Sequence, residues 1–273
     1  MVATTLTAES TARDATLKGV KVHYNEAGSG PAVVMLHGGG PGATGWSNFN
    51  RNIGPLAANH RVILLDQPGY GGTDYLGSKD TFTEQSSRTL RDLLDHLGID
   101  KCTPVGNSMG GGASLNFAID YPDRTDKLVL MGAAAAGTSL FVPQPTEGIK
   151  HLIETRKNPT IESMRKLINL MVYDASFLTD ELLQQRLEGA LATARSEPAP
   201  AISRPLDQEL GKVKAKTLII WGANDLMAPL DGALKFLWGI PDSQVHIYSK
   251  CGHWAQFEHA PEFNRLVADF LDN

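Results

Sequence analysis

The feature that most constrains how this 273-residue chain can fold is a serine flanked by glycines, Gly106-Asn107-Ser108-Met109-Gly110. An apolar segment (102–105) precedes it, and a helix-compatible segment (113–121) follows. A strand, a sharp turn and a helix in this order hold the serine in a strained conformation, and the glycines let strand and helix approach closely. The pattern therefore predicts a nucleophilic Ser108. The alternative is a glycine- and serine-rich loop, which produces the same short pattern by chance.

Five apolar segments predict strands of one sheet. Continuous apolar runs indicate strands that are buried on both faces, as in a parallel sheet. They alternate with helix-compatible segments through short connections, which predicts an α/β fold with a doubly wound, mostly parallel sheet. The functional site of such a sheet lies at the carboxyl ends of its strands. The predicted strands cover residues 32–36, 61–65, 128–131, 217–221 and 245–248.

The ends of the chain and the shorter connections carry weaker signals. Residues 1–18 are expected to form a loose leader, and the alternating segment 20–26 an exposed edge strand. Helices are predicted at 48–58, at 82–97, where Gly98 ends the periodicity, and at about 261–271.

The middle of the chain has a different pattern. Residues 133–210 contain no clear buried strand, but they contain helix-like segments at 146–154, 161–173 and 180–194, followed by the Pro-rich segment 197–205. This indicates a helical cap inserted over the active edge of the sheet. The expected division is a core of residues 1–135 and 208–273 with a cap of residues 136–207.

Composition restricts the classes of function. A net charge of −5 gives no general attraction to nucleic acid or to anionic membranes. Two cysteines, Cys102 and Cys251, form no disulfide framework, and the eight histidines have no metal-ligand spacing, so no metal or organic cofactor is expected. The first residues lack a basic start and an apolar segment, and no apolar run approaches the length of a membrane helix. A cytoplasmic protein is expected.

Two residues can complete a catalytic triad with Ser108. Asp225 directly follows the predicted strand 217–221, and His253 follows the strand 245–248. A serine hydroxyl needs a base to remove its proton, and the base needs an orienting carboxylate. Taken singly, Asp225 could form a turn and His253 could flank a helix. Their positions at successive strand ends, in the chain order Ser, Asp, His, favour the triad.

A second glycine-rich loop, 37–42, follows the strand 32–36 and predicts donors for an oxyanion. The expected donors are the backbone N–H of Met109 and that of Gly39, with Gly40 beside it. A simple tight turn is the alternative for this loop. Phosphate binding is excluded because the loop lacks a Gly-Lys-Ser/Thr ending and does not open a helix with Gly-x-Gly-x-x-Gly.

These motifs together resemble those of the meta-cleavage product hydrolases, the carbon–carbon bond hydrolases of aromatic degradation in the α/β-hydrolase superfamily. The resemblance covers about 22–271 and is closest to the members of the biphenyl pathway. It is carried by the loop 37–48, the serine turn 106–111, the segment 173–186 with its arginine, and the His-Trp segment 249–259.

The resemblance implies an α/β-hydrolase fold with an inserted cap and an anionic small-molecule substrate. Hydrolysis of the C5–C6 bond of a 2-hydroxy-6-oxo-hexa-2,4-dienoate is expected, with a 6-phenyl group giving benzoate and 2-hydroxypenta-2,4-dienoate. It also implies a homo-oligomer, dimeric or larger. The residues at family positions that bind the acid head are Asn48, Asn107, Ser176, Arg186 and Trp254.

The implied roles fit the side-chain chemistry. The donor fork of Arg186 suits paired oxygens of a carboxylate and an enolate, although an arginine on a polar helix could also form a surface ion pair. Asn48 and Asn107 could otherwise be loop formers, and Trp254 a core residue. The expected reaction begins with ketonisation at C5, in which Arg186, Asn107 and His253 stabilise the developing charge. Ser108 then attacks the C6 carbonyl.

Three questions stay open at this point. Between Arg186 and Asp225 the chain is shorter than expected for a member of the biphenyl pathway. The Pro-rich segment 197–205 in this region would contact the C6 substituent. Alkyl and other aryl substituents therefore remain open. A carboxylesterase or lactonase on the same fold is an alternative function. A non-catalytic ligand-binding relative is a second alternative, and the complete set of triad residues disfavours it.

Overall fold

The computed structural model describes residues 6–192 and 201–273. Its centre is an eight-stranded sheet that helices flank on both sides. The strands are β1 (Ala12–Leu17), β2 (Val20–Ala27), β3 (Ala32–Leu36), β4 (Arg61–Leu65), β5 (Cys102–Asn107), β6 (Lys127–Met131), β7 (Lys216–Gly222) and β8 (Ser243–Tyr248). The helices are α1 (Ala8–Thr11), α2 (Gly45–Phe49), α3 (Ile53–Leu56), α4 (Phe82–His96), α5 (Met109–Asp120), α6 (Glu147–Lys157), α7 (Ile161–Met171), α8 (Asp180–Ala192), α9 (Asp231–Gly239), α10 (Ala255–Glu258) and α11 (Ala260–Asp272).

The sheet has the predicted, mostly parallel arrangement. The strand order is β1-β2-β4-β3-β5-β6-β7-β8, and only the pairs β1–β2 and β2–β4 are antiparallel. All five residues of β3 are buried, because helices cover both faces of the sheet. The carboxyl ends of the parallel strands therefore meet at one edge, which confirms the predicted α/β fold.

The prediction for the first residues was wrong. Residues 8–17 form α1 and β1 instead of a loose leader, and β1 lies outside β2, so β2 is not the edge strand. The pattern of β1 is weak because only Ala15 and Leu17 are buried there, and both pack into the core between the sheet and α4. Residues 1–5 lie outside the described residues.

The helix predicted at 48–58 is two short helices, α2 and α3. Pro55 lacks the N–H that a continuous helix would donate to the carbonyl oxygen of Arg51. That oxygen instead accepts a hydrogen bond from Asn264 Nδ2 at 3.0 Å. A contact with the last helix thus replaces the missing helical bond.

Between β6 and β7 the chain forms α6, α7 and α8, which we call the helical insertion (147–192). These helices share an apolar cluster of their own that includes Leu152, Leu167 and Leu183. Met227 and Trp254, from loops at the sheet edge, belong to the same cluster, so the insertion packs directly on that edge. Most of the Pro-rich segment 197–205 lies outside the described residues. Its described end packs beside α4, where the carbonyls of Ala201 and Ile202 accept hydrogen bonds from residues 82 and 83.

None of the helices within 6–192 and 201–273 has the length and apolar character that a membrane span requires.

Candidate active site

Ser108 lies on the turn that joins β5 to α5, in a conformation that few residues other than glycine adopt. Its backbone angles are φ 55° and ψ −117°. Two backbone hydrogen bonds of 2.8 Å hold it there: its N–H donates to Met131, and its carbonyl accepts from Ala134. Backbone strain that the surrounding structure imposes in this way is typical of functional sites.

The flanking glycines are required by close contacts. A Cβ atom at Gly106 would lie 2.3 Å from the carbonyl oxygen of Gly110, and one at Gly110 would lie 2.1 Å from that of Leu36. A side chain at either position would therefore force α5 away from the sheet and displace Ser108.

His253 and Asp225 form a buried pair at the ends of β8 and β7. His253 Nδ1 and Asp225 Oδ2 are 2.7 Å apart. The other carboxylate oxygen of Asp225 accepts from the backbone N–H groups of Met227 and Ala228 at 2.8 and 2.9 Å. These bonds fix the carboxylate, so it can orient the imidazole and stabilise its protonated form.

Gly132, which sequence reasoning missed, leaves room for this pair. It follows β6 with φ 45°, and a Cβ atom there would lie 2.9 Å from His253 Nδ1 and 3.1 Å from Asp225 Oδ2. The positive φ and the close approach both require glycine.

Ser108 and His253 line a common cavity of about 160 Å³, which we call the first cavity. Within the described chain, His253 Nε2 is buried and has no hydrogen-bond partner, so it is not bonded to the Ser108 hydroxyl in this structure. Hydrogen bonds between a nucleophile and its base are often long without substrate. The Nε2 atom that would accept the serine proton is therefore not engaged in a hydrogen bond with another group of the described residues.

The rest of the first cavity is mostly apolar, and sequence reasoning did not identify it. Part of its wall is the alanine segment 133–136, which follows β6, and Ala135 in that segment has the strained angle φ 75°. The apolar lining consists of Ala133, Ala134, Ala135, Ala136, Ile149, Trp221, Met227, Ala228 and Pro229. The polar lining away from Ser108 and His253 consists of Ser139, Gln144, Asp231 and Lys235.

The glycine loop after β3 lies beside the serine turn. A Cβ atom at Gly38 would lie 3.4 Å from Ser108 Cβ, and one at Gly39 would lie 2.9 Å from Met109 Sδ. Among the hydrogen bonds of the described residues, none uses the backbone N–H of Gly39, Gly40 or Met109. The predicted oxyanion donors are thus free to bind an oxygen.

His37 holds the glycine loop in place through contacts of both its ring nitrogens. Its Nδ1 lies 2.8 Å from the carbonyl oxygen of Gly38, and its Nε2 accepts from the N–H of Gln67 at 3.1 Å. Complete burial lowers the pKa of His37 and keeps the ring neutral, which suits these two bonds.

Arg186 and Trp254 line a separate cavity of about 240 Å³ between α2 and α8, the second cavity. The guanidinium carbon lies 5.2 Å from the Trp254 ring centre. Arg186 is only 6% exposed, and within the described residues its Nε has no hydrogen-bond partner. Burial lowers its pKa to about 10, so the group stays charged at neutral pH. A buried cation with an unused donor is costly unless an anion binds it.

Arg186 also contacts the glycine loop. A Cβ atom at Gly42, where φ is 66°, would lie 2.1 Å from the carbonyl oxygen of Arg186. Its charge also contributes to lowering the pKa of His37. His253 lines the first cavity, and the adjacent Trp254 lines the second.

The other predicted binding residues differ in their placement. Asn107 is buried, and its Nδ2 donates a hydrogen bond to the His253 carbonyl at 3.0 Å, which holds the His253 loop. Its Oδ1 has no hydrogen-bond partner within the described chain. Asn48 is buried in α2, where its Nδ2 donates to the carbonyl of Thr44 at 3.1 Å.

Ser176 is not brought together with these residues. It is exposed on the turn between α7 and α8, because its N–H is held by Asp174 Oδ1 at 2.8 Å in a local turn that faces solvent. The structure gives no support to its predicted role in substrate binding.

The arrangement is suited to attack on a carbonyl carbon. It combines a hydroxyl on a strained turn, an imidazole with a free nitrogen, a fixed carboxylate, unpaired N–H groups and a buried cation. No group of three or more His, Cys, Asp or Glu in the described ranges is placed to hold a metal ion.

Comparison with known proteins agrees with this geometry. The family model described as "alpha/beta hydrolase fold" matches residues 31–159 and 149–260. A 2-hydroxy-6-oxo-6-phenylhexa-2,4-dienoate hydrolase of Burkholderia cepacia is 47% identical over 268 residues, which cover 94% of this chain and 93% of the relative. A 2-hydroxy-6-oxononadienedioate/2-hydroxy-6-oxononatrienedioate hydrolase of Comamonas testosteroni is 45% identical over 268 residues, with the same coverage of 94% and 93%.

Solved structures agree as well. A meta-cleavage product hydrolase from Pseudomonas fluorescens IP01 superposes with a TM-score of 0.85 at 33% identity, over 95% of this chain and 97% of that chain. Because family model, relatives and structure all match most of its length, the chain belongs to the α/β-hydrolase family and, within it, to the meta-cleavage product hydrolases.

Proposed function

We propose that the protein hydrolyses the C5–C6 carbon–carbon bond of 2-hydroxy-6-oxo-hexa-2,4-dienoates in the degradation of aromatic compounds. The names of its relatives support this reaction class. The single observation that carries the proposal is the buried guanidinium of Arg186, whose Nε has no hydrogen-bond partner among the described residues, together with the Ser108–His253–Asp225 set. An esterase of neutral substrates has no use for such a cation, whereas a dienoate supplies both a carboxylate and an enolate oxygen.

The first step of the proposed mechanism is ketonisation. The substrate gains a proton at C5 and loses the proton of its 2-hydroxyl group, which converts the dienol to a ketone. Negative charge passes over the 2-oxygen during this step, and Arg186 stabilises it through the hydrogen bond that its Nε, unpaired among the described residues, can donate. Without this step the departing carbon would be an unstabilised carbanion.

The second step is acyl transfer. His253 takes the proton of Ser108 as the hydroxyl attacks the C6 carbonyl, and Asp225 stabilises the imidazolium. The C6 oxygen becomes an oxyanion, which the N–H groups of Met109 and of Gly39 or Gly40 bind. The C5–C6 bond then breaks, its electron pair is delocalised to the 2-oxygen, and the imidazolium returns its proton to the departing dienolate. The acyl group remains on Ser108 until water, deprotonated by His253, releases it as a carboxylate.

The helical insertion acts in this proposal as a cap. It supplies Arg186 from α8 and Ile149 from α6, one to each cavity, so it completes both ends of the binding site. We place the acid head at Arg186 and the C6 substituent in the apolar part of the first cavity.

We propose phenyl as the C6 substituent. Apolar cavities of about 150 Å³ bind benzene, and the first cavity is of this size, about 160 Å³. The relatives named for dienedioates act, by that name, on a substrate with a second carboxylate. Such a group would meet the carboxylate of Asp231 here, while Lys235 already donates to the carbonyl of Thr138.

A substrate panel tests the substituent. We expect kcat/KM for the 6-phenyl dienoate to exceed that for a 6-(2-carboxyethyl) dienoate by about one to two orders of magnitude, because the cavity would bury an unpaired charge. Loss of dienolate absorbance measures both rates. Lys235→Met removes a cation of the cavity lining, and the preference for the phenyl substrate should persist in this variant. The assignment of phenyl would be contradicted if the wild type preferred the charged substrate and Lys235→Met lost that preference.

Arg186→Gln tests the reaction class. The change removes the charge that binds the acid head, so kcat/KM for the dienoate should fall roughly 100-fold or more, as for loss of one partner of a buried charged pair. Hydrolysis of neutral nitrophenyl acetate should change little. The matched control is Arg165→Gln, which removes an exposed arginine of α7 paired with Asp180. Equal losses on both substrates would favour the carboxylesterase alternative.

We also propose a cytoplasmic homo-oligomer, dimeric or larger, which the family resemblance supports. Light scattering of the purified protein across a concentration series measures the assembly, and a monomer at all concentrations would contradict it.

A further inference from the structure

An arginine of the helical insertion contacts the predicted oxyanion loop. Arg156 lies in the last turn of α6, and its Nη2 donates a hydrogen bond to the carbonyl oxygen of Gly39. Tyr70 Oη is the second donor to the same oxygen, at 3.3 Å, and lies 3.4 Å from Arg156 Nη2. One buried carbonyl of the glycine loop is therefore held by two side chains, one of them charged.

This carbonyl determines where the next N–H points. Because the peptide is planar and trans, the N–H of Gly40 is directed opposite to the C=O of Gly39. Fixing the carbonyl toward α6 thus turns the Gly40 N–H to the other side of the loop. That N–H has no hydrogen-bond partner among the described residues. A cation on the carbonyl also polarises the peptide and makes its N–H a stronger donor.

The helix that carries Arg156 is attached to the core at both of its ends. At its start, Thr146 Oγ1 donates to the carbonyl of Met227 at 3.0 Å, two residues after Asp225. At its end Arg156 reaches Gly39, beside Met109. The 11 residues of α6 span about 16 Å at 1.5 Å per residue. The helix therefore connects the loop of the triad carboxylate to the oxyanion loop.

We propose that Arg156 is a positioning residue that completes the oxyanion hole from the helical insertion. It orients and polarises the Gly39–Gly40 peptide, so the Gly40 N–H is an effective donor only while α6 is seated on the core. This rests on the proposed function for the identity of the substrate, but the effect concerns acyl transfer to Ser108 from any carbonyl compound.

The test uses a substrate that needs neither the acid head nor ketonisation. In Arg156→Met, the rate of Ser108 acylation by nitrophenyl acetate should fall about tenfold to a hundredfold, which is less than the loss of a whole oxyanion donor. The inhibition constant of a phenyl trifluoromethyl ketone, whose adduct with Ser108 carries an oxyanion, should rise by a similar factor. Arg156→Lys keeps a charged donor and should recover part of both losses.

Two controls separate this role from a structural one. Lys157→Met removes the neighbouring exposed cation of α6 and should leave both values unchanged. Dienoate binding by Ser108→Ala should be the same with and without Arg156→Met, because the ground state has no oxyanion. An unchanged acylation rate would overturn the proposal, and so would a loss of dienoate binding as large as the loss of rate. Failure of dienoate turnover alone would count against the proposed substrate and leave the ester and inhibitor results valid.

Discussion

Ser108→Ala should lower the rate of dienoate cleavage by about 10⁴-fold or more, the size of effect seen when the nucleophile of a triad is removed. The variant should still bind the dienoate, because Arg186 and the apolar wall of the first cavity are unchanged. Stopped-flow absorbance of the conjugated dienolate measures both events, since binding perturbs the spectrum and cleavage abolishes it.

The control for this variant is Ser114→Ala on α5. The Ser114 hydroxyl donates to the Gly110 carbonyl at 2.9 Å, and it does not line the first cavity, so kcat should remain close to that of the wild type. Cleavage by Ser108→Ala at a rate near that of the wild type would contradict a covalent acyl-enzyme. It would favour direct attack of water on C6 through a gem-diol.

Asp225→Asn should reduce kcat by roughly 10³- to 10⁴-fold, with little change in dienoate binding. The amide cannot stabilise a protonated imidazole, and its NH₂ group would favour the wrong tautomer of His253. Steady-state kinetics on both the dienoate and nitrophenyl acetate should show the same loss, because both reactions need the base.

An exposed carboxylate provides the comparison. Asp242→Asn makes the same chemical change on the turn after α9 and should leave kcat unchanged. Retention of most activity by Asp225→Asn on the ester would show that His253 does not depend on this carboxylate.

The parallel part of the fold was predictable because its strands are short apolar runs that end at turn residues. The run at β3, buried throughout, shows this clearly. β1 escaped prediction because only alternate residues face the core, and its neighbours at 13 and 14 are charged. The break between the short helices α2 and α3 is bridged by a hydrogen bond from Asn264 to Arg51, residues that are far apart in the chain.

The site likewise contains residues that the sequence pattern predicts and residues that it does not predict. The residues Ser108, Asp225 and His253 follow strands, so topology brings them to one edge, and the structure places His253 against Asp225 and beside Ser108. The contact of Arg156 with Gly39 joins residues 117 positions apart and has no pattern of its own in the sequence. Ser176, which is matched to the family by its position, is exposed in the structure, where its N–H donates to Asp174 Oδ1 in a local turn.

The wall of the first cavity has a consequence for how substrate range can change. The alanines 133–136 follow β6, whereas the nucleophile, carboxylate and imidazole follow β5, β7 and β8. Each additional methyl group on that one loop would remove space from the substituent end while leaving the reacting groups on their own loops. Enzymes with the same catalytic residues can therefore differ in substrate range through changes in a single short segment of chain.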